Sequence, residues 1–372
     1  MTDKHERYRS YFERLKNKLG RSLPVWTRII YYKFVRHLLR KSEKQPLILS
    51  GQLVRRLRSE IHRNRLTLAF GEIATNCGLL KLGDEYIGVF KNGTFNFCWE
   101  MGLRANVDRD KGIRQILYIA RFNNELRLKE VAPLAYETMG LVGFDPEQDL
   151  MEDARLIHNG KEVVMVTNYV PGGGKPGAWP KQANAWPLIG VLDLSSNKIS
   201  LCPVSLSGIQ PPQKNWIPFG KDGETFLQYS IAPHRILRVD PHTGHCNEAW
   251  LTHTSYKTVS GKNDFKGGAP LIAIGSQMLG ACHSWILNKN DEREYFTYLY
   301  LTQAVPPYEI TQMSPPLKIL VPDRVQYLVG MVLDTSKNCI TMSYGVNDCD
   351  NYFVELPLKQ VLGLFQQSNK VE

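Results

Sequence analysis

The sequence predicts an all-β fold and, within that class, a β-propeller. From about residue 66, short β-branched and aromatic runs alternate with turn residues along the rest of the 372-residue chain. Helical periodicity is almost absent there, so the strands have little but other strands to pack on. Hairpins in long succession suggest radial repetition, which leaves only short, protected sheet edges; two packed sandwiches are the alternative. The repeat is too degenerate for blades to be counted.

Residues 1–65 read as a basic helical extension. They hold 18 Lys and Arg against 5 Asp and Glu, a net charge of +13, while the remainder of the chain sums to −3. Trp26, Ile29, Ile30, Phe34 and Leu38 recur at three- and four-residue spacing between Arg28, Lys33, Arg36, Arg40 and Lys41. Such a segment fits an anionic membrane surface, with residues 1–45 as the contact. It also fits a stripe that packs on the main domain or on a second copy in an oligomer, and an apolar helical stripe more commonly faces protein in that way. No nucleic-acid motif accompanies the charge and the body is acidic, so no specific nucleic acid is expected.

Residues 66–372 read as the propeller, which would carry the catalytic site. Tyr86–Phe90 is a strand expected to turn at Asn92-Gly93, and Ile116–Arg121 one that turns at Asn123-Asn124. Arg155–His158 turns at Asn159-Gly160 and returns as Val163–Val166. Leu188–Leu192 turns through Ser195-Ser196-Asn197. Phe219 and Thr225–Tyr229 flank Asp222-Gly223, and Ile236–Val239 turns at His242-Thr243-Gly244. Tyr298–Tyr300, Tyr327–Val329 and Met331–Leu333 continue to Thr335–Asn338 and Cys339–Ser343. Leu358–Gln367 reads as a short closing helix. One long loop, Pro171–Pro180, has glycines but neither the strand-to-helix setting nor the spacing of a phosphate loop. It is either a plain surface loop or a cover that offers Trp179 or Trp186 to a sugar face.

The seven cysteines are scattered and form no CxxC, which argues against a zinc site or a disulfide framework and for a reducing, cytoplasmic setting. No apolar run is long enough to span a membrane, and the N-terminus lacks the marks of a secretory signal, so any membrane association would be peripheral. No cofactor motif is present, and no cofactor is expected.

Four polar clusters stand where strands begin or end: Glu152-Asp153-Ala154-Arg155; Lys214-Asn215 with Pro218-Phe219, followed by Tyr229 and His234; Gly268-Ala269-Pro270 leading to His283; and Tyr344-Gly345 with Asn347-Asp348. In a propeller such ends converge on the axis, and a carboxylate on a rigid strand can be held where acid catalysis needs it. Each cluster also has a plain reading. Asp153 and Arg155 fit an ion pair that closes a loop, either histidine fits a satisfied interior position, and Asn347-Asp348 fits a turn.

In this order the clusters resemble glycoside hydrolase family 130, the mannoside phosphorylases, β-1,2-mannosidases and related mannosyltransferases. The family's Glu-Asp-Pro-Arg element is similar to Glu152-Asp153-Ala154-Arg155, with Ala154 in the proline's place. A Tyr-Arg pair resembles Tyr118 and Arg121, and Tyr-Gly-x-x-Asp is matched by Tyr344, Gly345 and Asp348. The resemblance spans about residues 85–355. It implies five blades, a sugar pocket on the axis and an inverting mechanism with Asp153 as the proton donor. Glu152, Arg155, Arg121, Lys214, Asn215, Tyr229, His234, His283, Tyr344 and Asp348 would then bind substrate, an oligosaccharide or glycan with or without a phosphate or sugar-phosphate partner. The phosphorylases carry an arginine on the strand that here reads Leu227-Gln228-Tyr229-Ser230. Its absence leaves hydrolysis, phosphorolysis and transfer all open. A non-catalytic sugar-binding or scaffold propeller is the alternative.

Overall fold

The protein, in a computed structural model, is a five-bladed β-propeller. The structure describes residues 47–368 except 50–51, 72, 95–112, 142–143, 146–147, 173–183, 288–292 and 320–324. The propeller unit comprises Pro46–Ile286 with Arg293–Glu372. The basic arm and the loop around Trp179 lie outside the described residues.

Blade one is an antiparallel meander of Thr75–Leu82, Glu85–Gly93, Gln115–Phe122 and Leu128–Pro133. Blade two runs Leu150–His158, Val163–Val170, Trp186–Asp193 and Lys198–Pro203, with Ala135–Thr138 added in parallel at its outer edge. Blade three is Ile217–Lys221, Glu224–Ser230, His234–Val239 and Cys246–Thr252. Blade four is built on the long hairpin Gln277–Leu287 and Arg293–Gln303, with the short strands Lys266–Gly267 and Ile272–Ile274 inside it. Blade five is Gln326–Asp334, Cys339–Val346 and Asp350–Pro357, closed by Gln52–Arg56. The helix Leu358–Ser368 follows, and its Val361, Leu364 and Phe365 cover the core between blades four and five.

Helix across 1–65 is therefore not found in 47–56: Leu47–Leu49 pairs with Leu317–Ile319 of blade four, and Gln52–Arg56 with blade five. Without them the last two blades would present open edges with unpaired N–H and C=O groups. Arg56 fastens the closure by donating to both carboxylate oxygens of Asp350, at 3.0 and 2.5 Å. Helix begins only at Leu57 and ends at Arg63.

Most expected hairpins form where their turn residues stand. In the four-residue link after His158 the Asn159 side chain accepts the N–H groups of Lys161 and Glu162. Asn92-Gly93 does not turn. It stays within the strand, and buried Asn92 instead bonds Phe70, Gly71 and Ile73 of the preceding loop. Cys77, Cys202, Cys246, Cys282 and Cys339 are buried free thiols.

Neighbouring blades meet through alternating apolar side chains. Leu79, Phe90, Tyr118 and Phe122 of blade one pack with Phe353 and Val332 of blade five, while Val89 and Ile119 on the opposite face pack with Met151 and Leu156 of blade two. The inner strands approach closely at Gly78, where a β-carbon would stand 2.2 Å from the Ala154 carbonyl oxygen. That contact brings the end of blade one against the Glu152–Arg155 segment.

Candidate active site

The inner strands deform where they reach one end of the axis. Strand register shifts between Thr75 and Gly78, between Glu152 and Arg155, and between Leu328 and Gly330. Asn76, Asp153, Asn215, Asn347 and Asp348 all adopt left-handed backbone, with φ from 49° to 64°. Bulges and such dihedrals re-aim side chains that would otherwise follow the strand's alternation, and they concentrate at functional sites.

Asp153, only 9% exposed, accepts a 2.6 Å hydrogen bond from Nδ2 of Asn76. The same nitrogen donates to Oδ1 of Asp348 at 3.2 Å, and Lys91 donates to that oxygen at 3.0 Å. Glu152, half-buried beside them, has its carboxyl raised above the usual range by burial, against the opposing charges of Lys91 and Lys214 and with the support of Asp153 and Asp348. Burial opposes the charge on Lys91, but Asp348, Glu152 and Asp153 together hold it firmly protonated. The mouth thus combines three carboxylates with two lysines contributed by blades one, two and five and by the link into blade three.

Arg155 is fully buried. It donates to the carbonyls of Gly268 at 2.6 Å and Asp153 at 2.9 Å, to Oδ1 of Asn215 at 3.3 Å, and to the Tyr327 hydroxyl. It forms no loop-closing ion pair with Asp153; it is a strut that joins blades two, four and five below the carboxylates. Asn215 stands over the strut, and its Oδ1 also accepts from Asn168 and Tyr327. Lys214 is exposed, and its charge acts on Glu152 and His283.

His283 is 6% exposed, with its ring stacked on Tyr295 and edge-on to Tyr327. Burial, reinforced by the Arg155 charge, lowers its pKa to about 3, so the ring is neutral. Its Nδ1 is buried without a hydrogen-bond partner. Burial raises the Tyr295 hydroxyl, the charge and hydrogen bond of Arg293 oppose that rise, and the charges of Asp348 and Asp153 add to it.

Asp153, Glu152, Arg155, Lys214, Asn215, His283 and Asp348 are therefore brought together. Four other candidates are not. Tyr344 is in the hydrophobic core between blades four and five, since strand alternation turns it opposite to the Asn347-Asp348 turn. Arg121 bonds the Leu194 carbonyl and pairs with Glu130; it lies six residues, ~20 Å, along its strand from Gln115, whose side chain reaches the Met151 carbonyl at the site end. His234 opens the third strand of blade three beside Thr252, and burial lowers its pKa to about 4. Tyr229 packs on Trp216 under the Arg235 guanidinium. Trp186, the alternative sugar platform, donates to the Val204 carbonyl within blade two.

Sequence reasoning missed Asn76, Lys91, Tyr295 and Tyr327. The Tyr and Lys sit inside apolar strand runs without motif residues around them. Asn76 alone carried a signal, being a left-handed-tolerant residue just before an apolar run. Among the described residues, no three His, Cys, Asp or Glu side chains form a metal-ligand set, and no helix is long and apolar enough to cross a membrane.

No protein-family model matches the sequence, and comparison with curated proteins finds no match. Solved structures share the fold. A β-1,2-mannobiose phosphorylase from Listeria innocua, in complex with β-1,2-mannobiose, aligns with a TM-score of 0.52 at 15% identity over 79% of this chain and 92% of that one. A glycosyl hydrolase from Bacteroides ovatus aligns at 0.50 with 11% identity over 77% and 85%. The architecture is that of the propeller enzymes the motifs resemble.

Proposed function

We propose that this protein is a carbohydrate-active enzyme that makes or breaks β-mannosidic linkages of the 1,2 type with inversion, and that Asp153 transfers the proton. The supporting observation is the Asn76 amide, which donates to both Asp153 and Asp348 and so holds carboxylates from two different blades at one mouth. One carboxylate then works as the acid and its neighbour binds sugar hydroxyls. Asp153 gives its proton to the glycosidic oxygen, directly or through a sugar hydroxyl, as the C1–O bond breaks. The nucleophile's oxygen attacks C1 from the opposite face. The mannoside assignment rests on the motif resemblance and on the fold shared with a β-1,2-mannobiose phosphorylase.

For the nucleophile, water or a sugar hydroxyl is better supported than phosphate. A phosphate dianion needs several charge-assisted partners. Arg155 is occupied by protein acceptors, His283 is neutral, and the strand Glu224–Ser230 carries no arginine.

The test is Asp153→Asn, assayed on β-1,2-mannobiose with and without inorganic phosphate, and on mannose 1-phosphate with mannose as acceptor. Wild-type protein turns over at least one of these, and the variant loses ~10²–10⁴-fold while keeping its melting temperature. Sugar binding without turnover in any format selects the non-catalytic propeller.

A further inference from the structure

The long hairpin of blade four continues past the site. On its face toward blade five, the core residues Leu279 and Ala281 give way to His283 and then Trp285, while Leu299 and Thr297 on the partner strand give way to Tyr295 and then Arg293. His283 stacks on Tyr295 at 5.5 Å. One rung further out, the Arg293 guanidinium lies 4.8 Å from the Trp285 ring centre. Arg293 also hydrogen-bonds the Tyr295 side chain, whose hydroxyl is within reach of the charges of Asp348 and Asp153. The two rungs are thus one connected surface leading out from the carboxylates.

Trp285 leaves 38% of its surface open and Arg293 is exposed. Part of the Trp285 ring is thus left in water, and a flat apolar face held by a guanidinium suits the C–H face of a pyranose, with guanidinium N–H groups able to meet ring hydroxyls. The offset from the His283–Tyr295 rung is two residues, ~7 Å along the strand. A sugar one unit removed from the bond at Asp153 would reach that far.

We propose that Trp285 and Arg293 form a second sugar subsite, and that the preferred substrate is a β-mannoside chain of three or more units rather than a disaccharide. The proposal rests on the mannoside reading of the Asp153 centre. It is tested by calorimetric titration of the full chain with β-1,2-mannobiose and β-1,2-mannotetraose. Wild type binds the tetraose ~10-fold or more tightly than the biose. Trp285→Ala reduces tetraose affinity to that of the biose and leaves the biose unchanged, and Trp285→Phe retains part of the preference. Equal affinities in wild type, or a preference that survives Trp285→Ala, overturns the subsite while the centre stands. Binding of neither sugar by wild type overturns the mannoside reading and the subsite with it.

Discussion

Asn76 and Asp153 face each other from left-handed backbone, φ +52° and +58°, across a 2.6 Å hydrogen bond between blades one and two. Neither conformation is favoured by an isolated residue, and each costs of order 1 kcal/mol. They persist because the surrounding blades fix them, and together they aim a nearly buried carboxylate at the axis.

Asn76→Gly removes the shared amide while keeping a residue that accepts the left-handed backbone. Turnover should fall ~10²-fold, in line with the loss of a partner that orients a reacting group, with little change in melting temperature. Steady-state kinetics beside a thermal melt checks both parts. Unchanged turnover would mean that Asp153 needs no positioning from blade one.

Gly345→Ala reaches the same network by a different route. A β-carbon there would stand 1.7 Å from Oδ1 of Asn76, inside the pair of blades that Asn76 bridges. Overpacking of this kind costs ~1–3 kcal/mol, so the melting temperature should fall along with activity. A melt equal to wild type would contradict the contact.

Glu152→Gln should be more stable than wild type above pH 4.5, the ordinary value for this carboxyl, and equal to it below. The folded state holds the Glu152 proton more tightly than the unfolded chain does, so the native protein binds more protons in the window above 4.5 and wild-type stability falls as pH rises through it. Melting temperature against pH measures the difference. A less stable variant at pH 7 would mean that Glu152 is a net stabilising anion.

The two buried histidines act with the opposite sign. Their folded-state values, about 3 for His283 and about 4 for His234, lie below the ordinary 6.5. Between those limits the unfolded chain takes up protons that the native state refuses, so stability falls as pH drops, by up to ~1.4 kcal/mol per pH unit for each ring. His234→Leu should flatten that acid limb by one proton without touching activity, since His234 makes no hydrogen bond to the site among the described residues. An unchanged slope would show that the ring titrates normally.

Much of the site was legible because propeller chemistry gathers at strand ends, where short polar clusters interrupt apolar runs. Glu152-Asp153, Asn215 and Asp348 announced themselves in that way, and the left-handed backbone at Asp153, Asn215 and Asp348 explains why small Asx residues stand there. Tyr344 and Arg121 misled because a motif match fixes a place in the chain, whereas period-two alternation decides which face a side chain takes. Tyr295 and Lys91 were invisible for the converse reason: both lie in strands that read as ordinary blade interior, and only the meeting of separate blades turns them toward the carboxylates. The closing strands Leu47–Leu49 and Gln52–Arg56 were hidden by the basic residues around them, since a short edge strand has no periodicity of its own.

The most direct measurement is a structure of the Asp153→Asn protein with bound β-1,2-mannobiose. The expected result is a sugar on the propeller axis, with the residue 153 side chain within about 2.6–3.2 Å of the glycosidic oxygen or of a hydroxyl that relays to it, and with Asp348 bound to a neighbouring hydroxyl. A sugar seated away from residues 76, 153 and 348 would contradict the assignment.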